Sequence, residues 1–118
     1  MGRPVKRSPA SLTGKQRRYL RSLAHHLNPV IQIGHAGVTQ GLLDELDRAL
    51  ETHELIKVRV GGESPVEPDE AAKIIEPAAA CHVAQVIGRV LVLYRQHPEE
   101  PTIELPRAGV RPAILRSK

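Results

Sequence analysis

The chain has no phenylalanine, no tryptophan and only two tyrosines, Tyr19 and Tyr94, in 118 residues. It therefore lacks the aromatic platforms on which RNP-type sheets and cold-shock barrels stack successive bases. A single cysteine, Cys81, excludes an intramolecular disulfide. Following Ala78, Ala79 and Ala80 and without basic neighbours to lower its pKa, it reads as a small buried residue rather than a nucleophile. No segment approaches the roughly 18 consecutive apolar residues of a membrane span, and the basic start lacks the apolar stretch of a secretory signal. A cytoplasmic protein with no membrane partner is expected.

Catalytic signatures are missing too. There is no Walker loop, dinucleotide fingerprint or nucleophile elbow. No His or Cys pair has the spacing of a zinc site, and the adjacent His25 and His26 would diverge on a helix. His53 and His82 read as structural or exposed. The expectation is a protein without enzymatic activity, with no catalytic residue, no metal ligand and no cofactor.

Charge of one sign is also missing from long stretches. Residues 1–27 carry seven Lys or Arg and no acid, residues 28–106 carry six against all thirteen acids, and residues 107–118 carry four and none. A cationic helix and two cationic ends around an acidic body suit a polyanion approached from one side, with nucleic acid the leading candidate.

At this length one domain with tails is expected: a flexible basic arm over 1–11, a folded domain over 12–106 and a basic tail over 107–118. Thr13 and Gln16 form a capping box, and Leu20, Leu23, Ala24 and Leu27 follow at i, i+3, i+4 and i+7, predicting a helix that ends before Asn28-Pro29. Lys15, Arg17, Arg18 and Arg21 occupy its other arc. Val30 to Ile33 predicts a short strand, and Thr39 caps a second helix with apolar Leu42, Leu43, Leu46, Ala49 and Leu50 and an acidic outer face of Asp44, Asp47 and Glu51. Leu55 to Val60 alternates, with Lys57 and Arg59 opposite Ile56, Val58 and Val60.

Pro68-Asp69-Glu70 starts a third helix, which Pro77 either kinks or ends. Val83 to Ile87 and Val90 to Tyr94 flank Gly88-Arg89 as an antiparallel hairpin, and Thr102 to Leu105 is a candidate edge strand. The order α-β-α-β-α-β-β predicts a single compact α/β domain, with a mixed four-stranded sheet and three helices.

Gly34-His35-Ala36-Gly37 joins the first strand to the second helix, a Gly-x-x-Gly turn at a helix N-terminus that brings bare backbone N–H groups against an anion. Nine glycines make one chance match unsurprising, so a plain turn requiring positive φ is the competing reading. Gly37→Asp is expected to lower affinity without unfolding. The basic helix face could bind phosphates or simply be solvated, and the same choice holds for Lys57 and Arg59. Arg89 at a hairpin tip and Arg95 at a strand end are expected to be exposed and are secondary candidates, while Tyr94 shares a strand side with Val90 and Val92 and should be packed.

Taken together, Leu12 to Arg18, Leu23-Ala24-His25, Pro29 to Gly37, Leu55 to Val58 and Gln85 to Arg95 resemble the bacterial YhbY-like RNA-binding proteins, each a lone CRM domain. The resemblance spans about residues 11 to 107. It implies a fold similar to the C-terminal domain of translation initiation factor three and association with precursors of the large ribosomal subunit, hence with precursor 23S rRNA. By position, the family's Gly-x-x-Gly loop is Gly34 to Gly37 and its basic first helix bears Lys15, Arg17 and Arg18. Pro77 and the two basic tails depart from the family's pattern. The expected function is that of a monomeric assembly factor contacting RNA backbone. A protein-binding adaptor and a general RNA chaperone are the alternatives; DNA is less favoured, since no helix begins with clustered base-reading residues.

Overall fold

The computed structural model describes residues 11–106, so the expected tail and, apart from Ser11, the expected arm lie outside the described residues. The elements follow the anticipated order: α1 (Gly14–Ala24), β1 (Pro29–Ile33), α2 (Gln40–His53), β2 (Leu55–Val60), α3 (Pro68–Ala78), β3 (His82–Ile87) and β4 (Val90–Tyr94). They form one compact α/β domain around a mixed four-stranded sheet ordered β1-β2-β4-β3. β1 and β2 are parallel, and β4 is antiparallel to both β2 and β3. The last strand of the hairpin thus lies inside the sheet rather than at its edge.

Two cores flank the sheet. On one face Ile33, Ile56, Val58, Val60, Leu91 and Leu93 pack with Leu42, Leu46 and Leu50 of α2 and Ala71 and Ile75 of α3. On the other, Leu20 and Ala24 of α1 pack with Leu55, Ala84, Val92 and Tyr94. The alternation of β2 produces this division, because successive side chains of a strand point to opposite faces. α2 and α3 therefore roof one side and α1 covers only part of the other.

The capping box of α1 is present in both directions, Gln16 N–H to Thr13 Oγ1 at 3.1 Å and Thr13 N–H to Gln16 Oε1 at 3.0 Å. The helix stops at Ala24, earlier than the apolar spacing implied, so Leu23 and Leu27 are exposed and the buried stripe reduces to Leu20 and Ala24 with the cap. Pro77 ends α3 rather than kinking it. The helix closes one residue later, and Ala80 takes a left-handed φ of 50° as the chain turns toward β3.

Thr102 to Leu105 forms no strand, and the amides of its first two residues go to a side chain. The Glu54 carboxylate accepts from the N–H of His97 (2.7 Å), Thr102 (3.0 Å) and Ile103 (2.9 Å). Gln16 Nε2 then donates to the Pro106 carbonyl at 2.8 Å, and Ile103 and Leu105 pack on the α1 core. The segment is a strap across the end of that core.

Candidate nucleic-acid interface

Register places two rows of side chains on the sheet face that α1 leaves partly bare. One row runs Gln32, Arg59, Val90, Ile87, and the next runs through Lys57, Val92 and Gln85. Between this surface and the C-terminal half of α1 lies an open cleft of about 600 Å3. Arg18, Arg21, His25 and His26 line its helix side, and Lys57, Gln85 and Ile87 its sheet side. Because α1 has ended at Ala24, the two histidines do not diverge as they would on a helix. Their rings meet edge-on with centroids 5.1 Å apart, and both line the cleft.

The acids of the other two helices are elsewhere. Asp44, Asp47 and Glu51 belong to α2, and Asp69, Glu70 and Glu76 to α3, on the opposite side of the sheet. Among the described residues no acid pairs with Lys15, Arg18, Arg21, Lys57 or Arg59. α1 itself carries Lys15, Arg17, Arg18 and Arg21 and no acid, while the acids of α2 and α3 lie across the sheet together with Arg48 and Lys73; Glu104 of the strap lies beside Gln16 and Tyr94 on the α1 side.

The Gly34 to Gly37 loop leaves the end of β1 for α2, beginning two residues beyond Gln32. Its two glycines differ. Gly37 has φ of 74°, donates its N–H to the Gly34 carbonyl at 3.0 Å, and a Cβ there would lie 3.1 Å from Pro65 Cγ. Gly34 has an ordinary φ and nothing within 4 Å of its Cβ direction. The expectation that Gly37→Asp spares the fold is corrected: any side chain at Gly37 is strained by backbone and neighbour alike. His35 and Ala36 are exposed, and the first turn of α2 beside them contains no acid.

The arginines sort into two kinds. Arg95, expected at the surface, is 2 % exposed. It donates to the Ala79 carbonyl at 2.7 Å and to Asp47 Oδ1 at 2.9 Å, fastening the end of β4 to the middle of α2 and the C-terminal end of α3. Arg89, also expected to be free at its hairpin tip, donates to the carbonyls of Val60 and Gly61, both at 2.9 Å, and pairs with Glu67 at 3.3 Å. Arg17 is intermediate: it is half-buried and donates to the Val83 carbonyl at 2.7 Å, tying α1 to β3. Lys15, Arg18, Arg21 and Arg59 are exposed and Lys57 is half-buried at the cleft.

Sequence reasoning missed three residues of this surface, namely His25, His26 and Gln85. Asn28-Pro29 disfavours the helix only at Asn28, so it did not announce that α1 ends already at Ala24, and nothing local marks Gln85. Tyr94 is packed, as expected, and stacks on His82 with centroids 6.5 Å apart. Among the described residues no cluster of three or more His, Cys, Asp or Glu is placed to hold a metal ion, and no helix is long and apolar enough to cross a membrane.

Fold and surface together define a small α/β domain with a cationic helix across the sheet from the acids of its other two helices. The chain belongs to the CRS1/YhbY (CRM) domain family, whose model matches residues 12–95. It is 44% identical over 97 residues to a Haemophilus influenzae protein named "RNA-binding protein", covering 82% of this chain and 97% of that one. It is 41% identical over 95 residues to the "Probable RNA-binding protein YqeI" of Bacillus subtilis, covering 80% and 99%. The solution structure of SAV1595 from Staphylococcus aureus, whose description proposes RNA binding, superposes with a TM-score of 0.67 at 43% identity, covering 80% of this chain and 99% of that chain.

Proposed function

We propose that this protein binds RNA through the α1 side of its sheet and acts, without catalysis or cofactor, as a cytoplasmic assembly factor on precursor 23S rRNA of the large ribosomal subunit. The observation that carries the reading is the segregation of charge. Arg18, Arg21 and Lys57 line one cleft, Lys15 and Arg59 are exposed on α1 and on the same face of β2, and the acids of α2 and α3 lie across the sheet. Such a face orients the domain on a phosphate backbone and turns its acidic side away. The names of its relatives point to the same ligand class.

In this reading the exposed lysine and arginines contact phosphates, and the His35-Ala36 backbone with the first turn of α2 receives one more. Arg89 and Arg95 serve the fold. Binding of this kind follows backbone and shape, weakens steeply with salt and needs no second copy of the chain.

The test is sedimentation of a lysate through sucrose at low and moderate salt, with the protein followed by immunoblot. Enrichment in particles just lighter than the mature large subunit supports the assembly role. A signal confined to free fractions at both salts overturns it and leaves a protein-binding adaptor or an RNA chaperone unconnected to the ribosome.

A further inference from the structure

Backbone binding alone does not account for the cleft between α1 and the sheet. It is an open cleft of about 600 Å3 with room for a group larger than a phosphate. Its lining is mixed: cations at the rim, Ala24 and Val92 buried at the base, and Ile87 beside them with 52 % of its surface exposed. A surface built only for phosphates gains nothing from a large exposed aliphatic side chain, because an anion at the rim leaves that side chain in water.

Three features of the lining match one ligand. His25, His26, Arg18 and Arg21 supply imidazole and guanidinium planes, on which an unpaired base stacks where Phe, Tyr and Trp are absent. Gln85, half-buried on β3, carries both an amide donor and an amide acceptor, which the edge of any base can engage. Lys57 sits on the same row as Gln85, with Val92 between them, and offers its ammonium to the phosphate of the same nucleotide.

The geometry points to this cleft as a binding site for a single unpaired nucleotide of RNA, its base held between the end of α1 and Ile87 and its phosphate on the rim. The site rests on the RNA-binding reading and adds to it: the domain grips the backbone of a paired stem and selects stems that present a bulged or looped-out nucleotide. The missing Phe and Trp do not forbid this, since one base needs one plane rather than the row of platforms that a single-strand binder uses.

The test measures affinity by fluorescence anisotropy, at one fixed low salt, for three RNA hairpins of identical stem: fully paired, with one bulged adenosine, and with the same bulge lacking its base. The native protein is expected to bind the bulged hairpin about tenfold more tightly than the other two. Gln85→Ala with Ile87→Ser, both at accessible side chains on the edge strand, is expected to bind all three with the affinity that the native protein has for the paired stem. Retention of the native melting temperature establishes that this variant is folded, and Ile87→Asp repeats the test at one position. Equal affinity of the native protein for the three hairpins overturns the nucleotide site while leaving RNA binding intact. Discrimination that survives in both variants overturns it as well, placing the base elsewhere. Failure to bind any hairpin overturns the RNA-binding reading and the nucleotide site with it.

Discussion

Glu54 and Thr102 stand 48 positions apart, and a single carboxylate oxygen of Glu54 accepts both the Thr102 amide at 3.0 Å and its hydroxyl at 2.7 Å. With the amides of His97 and Ile103 also directed at the carboxylate, this one side chain holds the strap against the domain. Glu54 is 2 % exposed and occupies the one-residue link between α2 and β2, with a left-handed φ of 65°.

That arrangement fixes an acid sensitivity. Burial alone raises the pKa of Glu54, and hydrogen bonds from His97, Thr102 and Ile103 more than reverse it, leaving the carboxyl below its ordinary 4.5. A carboxylate with a lowered folded-state pKa contributes stability that is complete above the unfolded value and is lost as pH falls through the folded one. Stability measured by urea unfolding is therefore expected to drop below about pH 4.5. Glu54→Gln should lose about 2 kcal/mol at neutral pH and flatten that part of the profile.

The two loop glycines are expected to separate folding from binding. Gly34→Asp places a negative charge in open space beside the proposed phosphate site, and should lower RNA affinity about tenfold or more with the melting temperature unchanged. Gly37→Ala adds no charge but strains a φ of 74° against Pro65, and should cost about 1–2 kcal/mol of stability. Thermal melts and RNA titrations on both variants check the pair.

The arginines divide in the same way. Arg18→Ala with Arg21→Ala should weaken RNA binding and lower the slope of log affinity against log salt by about one for each phosphate no longer engaged. Arg95→Ala should leave that slope unchanged and destabilise the domain by about 2 kcal/mol or more, since it removes the guanidinium that ties the Ala79 carbonyl to Asp47. Salt titrations of RNA affinity, with urea unfolding for Arg95→Ala, distinguish the classes.

Cys81 offers a probe of opening. Burial pushes its thiol pKa up to about 12, with Arg95 lowering it and Glu76 raising it further. At pH 8 it should resist a thiol reagent in the folded protein and react promptly in denaturant. Labelling in Arg95→Ala should run faster in proportion to the lost stability.

Much of the fold could be read from local pattern. The capping box at Thr13, the Leu repeat of α2 and the alternation of Leu55 to Val60 each depend on residues within a few positions, and each element appeared where its pattern lay. What escaped were the choices made at long range. An arginine announces its charge but not its partner: Arg89 meets carbonyls 28 and 29 residues away and Arg95 an acid 48 away, and nothing near either signals it. Thr102 to Leu105 has the composition of an edge strand, yet the distant Glu54 captures the amides of its first two residues. Of the interface, the charge segregation was legible because it is a property of segments. The cleft was not, because it requires α1 to end early and to lie over β2, β4 and β3 at once.

The position of β4 also governs how the domain comes into being. The strand made last is an interior one, so a chain emerging from synthesis through Ile87 has β2 and β3 with no strand to join them, and neither core can close. Val90 to Tyr94 is the keystone: until it is inserted, the cationic face exists as composition but not as surface.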